Sequence, residues 1–253
     1  MYQQLTHFKK IFINYFPALT NLYIQKRYRP VTMGVCDKSI QMDPLWNHVV
    51  TRDQKLIDLI SKECNSGDLL MSFQECVNLI WATKATAGLK GDLAELGVYS
   101  GSSAKLMLSC LETDFRDLYL FDTFSGIPEI TPGIDEVVLG GMAGKSFEEV
   151  RIKLKLFSNR IKYHRGMFPT TASNIDTNIR FSFVNLDADT YNSTGAALKY
   201  FYELLVPGGM ILIHDYSSIS CPGVKLSVDE YFADKKDKPI PLWHTQCLII
   251  KSP

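Results

Sequence analysis

Acidic side chains follow several of the most apolar stretches of this 253-residue sequence. Glu95 lies within DLAELGV, Asp122 ends LYLFD, and Asp187, Asp189 and Asp215 come after the runs FSFVNL and GMILIH. Carboxylates in such positions can take a proton from a hydroxyl group, hold a divalent cation or accept hydrogen bonds from a ligand. Any one of them could cap a helix instead. The presence of all five favours one shared crevice.

The elements that must position these acids alternate along the chain. Short apolar runs predict strands, at 92–98, 118–122, 161–164, 181–187, 209–214 and 246–250. Helical spacing of apolar residues predicts helices, at 53–64, 72–87, 102–111, 146–157, 193–205 and 224–234. The alternation predicts an α/β fold with a doubly wound, mainly parallel sheet. Such sheets bind ligands beyond the carboxyl ends of their strands.

The stretch ELGVYSGSS predicts a turn between the first strand and a helix. Gly97 and Gly101 lack a Cβ, so the backbone there can take positive φ and a ligand can approach it closely. The three serines are candidates to cap the helix, at positions 100, 102 and 103. Alternatively, the small residues only let the helix pack tightly on the sheet.

This turn does not have the G-x-G-x-x-G pattern that holds a dinucleotide. Tyr99 stands where a second closely spaced glycine is expected, and Glu95 precedes the turn. A carboxylate there would repel phosphates, whereas it would attract an ammonium group. The sequence therefore favours a ligand with an amino-acid end.

Composition narrows the class of protein. Lys and Arg number 27 and Asp and Glu number 27, so no basic surface argues for nucleic acid. The cysteines have no C-x-x-C spacing, which predicts reduced thiols in a cytoplasmic protein rather than disulfides or zinc ligands. The uncharged run 11–25 contains Asn14 and Pro17 and is too short and polar to span a bilayer.

The N-terminal region is rich in aromatic and basic residues. We predict a helical extension or lid over residues 1–70 and one further domain over residues 71–253. The extension could be a docked helix, cover a site, join two copies of the chain or touch a membrane surface. A homo-oligomer is expected.

Six motifs in order and spacing carry a family resemblance: ELGVYSGSS, FDTFSGIPE, RGMFPTT, NLDADTYNST, PGGMILIHDY and PGVKLSVDEYF. From about residue 70 to the C-terminus, the chain resembles the macrocin O-methyltransferases. The resemblance implies a class I methyltransferase fold, which is Rossmann-like, with S-adenosylmethionine as methyl donor and a sugar or glycosylated small molecule as acceptor.

The resemblance also implies residue roles. The residues that it assigns to the cofactor are Glu95, Gly97, Tyr99, Ser100, Gly101, Ser102, Asp122, Ser125, Gly126 and Asp187. It implies that a divalent ion, magnesium or another, is held by Asp187 and Asp215, and that Asp189 is the catalytic base.

One position departs from the family pattern. Members usually have two adjacent aspartates where this chain has His214 and Asp215. Imidazole suits zinc, iron, manganese or nickel better than magnesium. Either the metal is a different one, or His214 is a catalytic acid or base, or the metal is lost, or His214 is a histidine satisfied by neighbours at a strand end.

Two further features bear on the acceptor. The segment 123–145 is long and turn-rich, which predicts either a lid over the cofactor or a plain surface loop. Trp243 and His244 either line the acceptor pocket or serve in packing.

Three functions remain open from the sequence. The first is a sugar O-methyltransferase assisted by a metal. The second is a non-catalytic cofactor-binding or scaffold protein on the same fold, which the change at His214 permits. The third is a nicotinamide-dependent oxidoreductase, which the missing G-x-G-x-x-G pattern disfavours.

Overall fold

A computed structural model describes residues 54–111 and 114–253 of the chain. The roles predicted for the extension before residue 54 lie outside these residues. Within the described ranges, no helix has the length and apolar character needed to cross a membrane.

The described residues form α-helices, short 3₁₀ segments and β-strands. The helices are α1 (Gln54–Ser66), α2 (Phe73–Ala85), α3 (Ser102–Ser109), α4 (Phe147–Lys153), α5 (Tyr191–Leu204) and α6 (Pro222–Phe232). The 3₁₀ segments are Lys155–Arg160 and Thr170–Ala172. The strands are β1 (Asp92–Leu96), β2 (Leu118–Asp122), β3 (Ile161–Arg165), β4 (Phe181–Leu186), β5 (Leu205–Ile213), β6 (Ile240–Pro241) and β7 (Cys247–Ile250).

The strands form one sheet in the order β3-β2-β1-β4-β5-β7-β6. All pairs from β3 to β5 are parallel, and β7 runs antiparallel to both β5 and β6. The predicted fold class is thereby confirmed. The strand order reverses between β1 and β4, so the carboxyl ends of these two strands flank the crevice in which such sheets bind ligands.

Two predicted boundaries differ from the structure by four residues, and the other boundaries of the predicted elements differ by at most two. Strand β5 begins at Leu205 rather than at 209, because the chain passes from α5 straight into the strand and takes a turn at Gly208, whose φ is 77°. The helix predicted over 146–157 ends at Lys153 and continues as a 3₁₀ segment. A change of helix type of this kind is common at helix ends and leaves the apolar spacing almost unchanged.

Both faces of the sheet are buried. Leu93 packs on one face with apolar residues of α1, α2 and α3, whereas Ala94 and Leu96 pack on the other with α5 and α6. Helix α1 contributes Ile60 to the same core as Leu93. The domain boundary at residue 70 remains a prediction.

The cysteines divide into two kinds. The free and buried ones are Cys76, Cys110, Cys221 and Cys247. Cys64 is disulfide-bonded, so the expectation of reduced thiols is wrong for that residue. Sequence spacing does not show which thiols meet in space, and a disulfide depends on that geometry alone.

Candidate active site

The ends of β4 and β5 bring acidic and histidine side chains together. The two strands are neighbours with Leu186 opposite Ile213, and the backbone N–H of His214 donates to the Leu186 carbonyl at 2.9 Å. Ligand atoms of Asp187, His214 and Asp215 lie within 4.8 Å of one another. The structure therefore gathers the three residues that the sequence assigned to a metal.

A second group lies beside the first and shares one residue with it. Ligand atoms of Asp189, Asp215 and Cys221 also lie within 4.8 Å of one another. Asp189 and Asp215 have φ values of 59° and 61°, a left-handed conformation that aspartate tolerates better than most residues. Residues held in this conformation occur often at functional sites. The candidate base thus lies next to the candidate metal ligands.

The His214 ring is nearly buried between carboxylates on both sides. Its Nδ1 lies 3.0 Å from Asp215 Oδ2 and 3.6 Å from Asp187 Oδ1. Its Nε2 lies 3.5 Å from Glu75 Oε1. Burial alone would lower the pKa of His214, but Asp187 and Asp215 raise it well above the usual range.

The two acids after β4 have perturbed pKa values. Burial is the main cause that raises the pKa of Asp187, and the negative charge of Asp215 adds to it, while His214 acts in the opposite direction. Burial also raises the pKa of Asp189 well above its ordinary value, with further contributions from Asp187 and Asp215. These acids repel each other and hold protons at a higher pH than exposed carboxyl groups.

Glu75 is a site residue that the sequence analysis missed. Its side chain is buried, and burial would raise its pKa, but the interaction with His214 together with other hydrogen bonds lowers it. The sequence does contain a signal for its helix, because Ser72 and Glu75 have the spacing of a capping box. That signal predicts a helix start and says nothing about contact with His214.

Glu95 is fully buried at the centre of the sheet, on the strand that leads into the glycine turn. Its Oε1 accepts a hydrogen bond from Asn185 Nδ2 at 2.9 Å, and its Oε2 has no hydrogen-bond partner among the described residues. Burial raises the pKa of Glu95 to about 8. An unpartnered carboxylate oxygen in this place fits the ammonium group that the sequence predicted.

The turn glycines are required by the protein's own packing. Gly97 has a φ of 87°, and an added Cβ would overlap the backbone carbonyl oxygen of Asp187. Gly101 has a φ of 77° and is itself the N-cap of α3, so none of the three predicted serines caps that helix. A Cβ at Gly101 would lie 3.1 Å from Val150 Cγ1. The glycines are therefore needed at least in part for close packing, which is the alternative that the sequence left open for this turn.

The serines of the turn bind a buried polar network. Ser100 Oγ donates to the backbone carbonyl of Asp68, and Ser102 Oγ donates to Glu63 Oε2 at 2.9 Å. Glu63 is buried and is also paired with Lys105 at 2.5 Å and Lys153 at 3.2 Å. The sequence analysis missed Glu63, whose contacts join α1 to the turn.

Asp122 holds the turn from the end of β2. Its Oδ2 accepts from the backbone N–H groups of Val98 at 2.6 Å and Tyr99 at 2.9 Å, and its Oδ1 accepts from Phe124 at 2.7 Å. A carboxylate has about four acceptor positions, so one position remains for a ligand hydroxyl. Ser125 is exposed and adjoins the turn at Gly126.

Comparison with known proteins places this arrangement in a family. The Macrocin-O-methyltransferase (TylF) family matches residues 67–246, a range that contains the glycine turn and the acidic groups. The chain belongs to this family. A relative from Streptomyces olivaceus, an 8-demethyl-8-(2,3-dimethoxy-alpha-L-rhamnosyl)-tetracenomycin-C 4'-O-methyltransferase, is 30% identical over 165 residues. The match covers 60% of this chain and 61% of that relative, less than two thirds of its length.

Solved structures agree with the family fold. The O-methyltransferase NovP has a TM-score of 0.67 and 23% identity, and the match covers 90% of this chain and 100% of NovP. TomG from Streptomyces achromogenes, solved in complex with S-adenosylmethionine, has a TM-score of 0.54 and 14% identity, with 90% and 99% covered. The class I methyltransferase fold is thus confirmed for this macrocin O-methyltransferase family member.

In this family member, the segment 123–145 is tied to three parts of the carboxyl edge. The N–H of Lys145 donates to the Tyr99 carbonyl at 3.2 Å. Asp135 Oδ1 accepts from the Tyr191 N–H at the start of α5 at 2.8 Å, and an added Cβ at Gly223 of α6 would overlap that same oxygen. The segment is therefore attached to the turn after β1 and to the first residues of α5 and α6, and its role as a lid remains a prediction.

Trp243 is 75% exposed and follows β6, in the connection that leads back to the carboxyl end of the sheet. Within residues 54–111 and 114–253, the Trp243 side chain is therefore not packed into the core. The adjacent His244 has a φ of 74°. The role in the acceptor pocket remains a prediction.

Proposed function

We propose that this chain is an S-adenosylmethionine-dependent O-methyltransferase that acts on a sugar hydroxyl, assisted by a divalent ion. The proposal is carried by one observation: the acidic and histidine cluster of Asp187, Asp189, His214 and Asp215 lies directly beside the glycine turn. Two comparisons support it: the rhamnosyl-bearing compound in the name of the Streptomyces olivaceus relative and the methyl donor bound to TomG.

On the cofactor side, the carboxylate of Glu95 would pair with the ammonium group of the methionine end. The remaining acceptor position of Asp122 would take a ribose hydroxyl. Gly97, Tyr99 and Gly101 would shape the turn around the ligand. Ser100 and Ser102 would act by stiffening the turn, since their hydroxyl groups are engaged with Asp68 and Glu63. These roles remain proposals.

On the acceptor side, the donor set fits a divalent ion. Asp187 and Asp215 repel each other unless a cation or proton lies between them, and His214 adds a nitrogen ligand to two oxygen ligands. A mixed set with imidazole favours manganese, iron or nickel over magnesium. When bound, such an ion lowers the pKa of a coordinated acceptor hydroxyl.

Asp189 would take the proton of that hydroxyl. Burial raises the pKa of Asp189 well above that of an exposed aspartate, so its carboxylate is more basic, which suits a general base. As the hydroxyl oxygen forms its bond to the methyl carbon, the bond from that carbon to the sulfonium sulfur breaks, and the proton moves to Asp189. The protein's main task is to align these atoms.

Turnover of the methyl donor tests the activity. We expect the purified chain to convert S-adenosylmethionine to S-adenosylhomocysteine in the presence of rhamnosides or other glycosides, with a mass gain on the acceptor. Binding without turnover over the whole panel would favour the scaffold alternative. Calorimetric binding of NAD in place of S-adenosylmethionine would favour the oxidoreductase alternative.

Metal dependence is tested on the same reaction. We expect activity to be lost on chelation and restored better by manganese, iron or nickel than by magnesium. The change His214→Asp should move the preference toward magnesium. Full activity after exhaustive chelation, with no gain from any added metal, would remove the ion from the mechanism and leave Asp189 or His214 as a base acting alone.

The assembly proposal concerns residues outside the described ranges. We expect deletion of residues 1–30 to lower methyl transfer or to change the mass of a cytoplasmic homo-oligomer. Normal activity together with unchanged mass in light scattering would rule out both roles of the extension.

A further inference from the structure

Glu75 lies on the side of the His214 ring that faces away from the acidic cluster. Its Oε2 accepts from the Ser72 backbone N–H at 2.8 Å. Its Oε1 accepts from Thr245 Oγ1 at 2.6 Å and lies 3.5 Å from His214 Nε2. The two carboxylate oxygens thus have different neighbours: one closes the helix cap and the other faces the ring.

The environment of His214 distinguishes its two ring nitrogens. Nδ1 faces Asp187 and Asp215, whereas Nε2 is buried, has no hydrogen-bond partner among the described residues, and lies 3.5 Å from Glu75 Oε1. An ionised carboxylate only accepts hydrogen bonds, so it favours a proton on the nitrogen that faces it. Because carboxylates face both nitrogens, each nitrogen can hold a proton when no ion is bound. A divalent ion held by Asp187, Asp215 and Nδ1 would take the Nδ1 lone pair, and the remaining ring hydrogen would then lie on Nε2, facing Glu75.

We propose that Glu75 is the positioning residue of the candidate metal centre, which holds the Nε2–H of His214 so that Nδ1 is the ligand atom. The inference rests on the part of the proposed function that assigns a divalent ion to Asp187, His214 and Asp215. Histidine ligands of metals commonly donate their other N–H to a carboxylate, which fixes the ring and raises its basicity.

Three residues from two parts of the chain hold Glu75 in place: Ser72, Thr245 and Gln246. The residue is at the third position of α2 within a capping box made with Ser72. The connection between β6 and β7 supplies Thr245, and Gln246 Nε2 donates to the Glu75 backbone carbonyl at 3.5 Å. The cap alone would be served equally well by glutamine. The helix cap therefore does not require a negative charge at Glu75, whose Oε1 accepts from Thr245 and faces His214.

The substitution Glu75→Gln separates these two roles. It keeps a residue that can close the capping box, but its amide can donate to Nε2 and so favour the wrong nitrogen as the hydrogen carrier. We expect the Kd for Mn²⁺ alone, measured without methyl donor or acceptor, to rise by about 10–100-fold. Pulsed electron paramagnetic resonance of bound Mn²⁺ should show a ¹⁴N coupling in the unchanged protein that is lost or altered in the variant.

The matched control is Ser72→Ala, which removes the cap that Ser72 Oγ forms with the Glu75 N–H at 3.3 Å. We expect that variant to keep both its Mn²⁺ affinity and its ¹⁴N coupling. If Glu75→Gln does not fold, Thr245→Val decides the matter, because it removes the hydroxyl that orients Oε1. Weaker Mn²⁺ binding in Thr245→Val would support the proposal, and unchanged binding would contradict it.

Two further results would overturn the inference. One is unchanged Mn²⁺ affinity and coupling in folded Glu75→Gln, and the other is the absence of Mn²⁺ binding or ¹⁴N coupling in the unchanged protein. Neither result would decide whether the chain transfers methyl groups, because that activity is measured independently, by the formation of S-adenosylhomocysteine. Failure of the positioning role and failure of the proposed activity are therefore distinguishable.

Discussion

The two halves of the carboxyl edge satisfy their polar groups in opposite ways. Around the glycine turn, Asp122 accepts three backbone N–H groups, and Ser100 and Ser102 are bound to groups of the protein itself. At the ends of β4 and β5, Asp187 and Asp215 face the same imidazole ring. In the first half the protein satisfies its own polar groups, whereas the acids of the second half repel each other unless a cation or proton balances their charge.

The largest expected effect is on the second half. The change Asp189→Asn keeps the shape of the side chain but removes the proposed base. We expect kcat for methyl transfer to fall by about 10²–10⁴-fold, the usual contribution of a positioned general base. S-adenosylmethionine affinity, measured by calorimetry, should stay the same. An equally large loss of affinity for S-adenosylmethionine would contradict separate roles for the two halves.

The second-largest expected effect is on the half around the glycine turn. The change Asp122→Ala removes the proposed ribose contact and the acceptor for three backbone amides. A lost hydrogen bond to a charged group costs about 1.5–3 kcal/mol, so affinity for S-adenosylmethionine should fall by about 10–150-fold. Calorimetry gives the affinity, and kcat at saturating donor should change less than in Asp189→Asn. Unchanged affinity would contradict the assignment of Asp122.

Glu95 lies between the halves and gives a pH test. Its pKa is raised by burial from 4.5 to about 8, so between these values the folded state binds more protons than the unfolded state. The free energy of unfolding should therefore fall as pH rises from 4.5 to about 8 and level off above. In Glu95→Gln, the free energy of unfolding measured by denaturant titration should not show this fall with pH. An equal pH dependence of the free energy of unfolding in both proteins would show that Glu95 is ionised in the folded state.

Ligand binding should reveal the same group. An ammonium ion beside Glu95 favours the ionised carboxylate, so binding of S-adenosylmethionine near pH 7 should release protons. Calorimetry in buffers with different heats of ionisation measures this release, which Glu95→Gln should reduce. A release of equal size in the variant would assign it to another group.

The smallest effect concerns the helix that carries Glu75. Removing the cap with Ser72→Ala should lower the free energy of unfolding by about 1 kcal/mol. Ser146 caps α4 in the same way at an exposed position, so Ser146→Ala is a matched comparison. Denaturation curves should show a similar decrease in the free energy of unfolding for Ser72→Ala and Ser146→Ala. A fall in kcat with Ser72→Ala alone would indicate that the cap supports the site.

The sequence predicts the convergence of acids better than their individual contacts. Parallel strands end at a common edge, so residues that follow apolar runs, such as Asp187 and Asp215, can be placed together from pattern alone. Glu75 and Glu63 were missed because each comes from a helix before β1, and helical spacing does not show which strand ends a helix will meet. A sequence also cannot show that protein groups bind the hydroxyls of Ser100 and Ser102, which the family resemblance assigns to the cofactor.

The close approach of Gly97 to the Asp187 carbonyl has a consequence for selection and for directed evolution. A side chain at position 97 would displace the start of the acidic cluster as well as the turn, so a mutagenesis library should return glycine there under any selection for turnover. Changes toward a new acceptor or metal must then arise at side chains such as His214, while the backbone junction between β1 and β4 stays fixed.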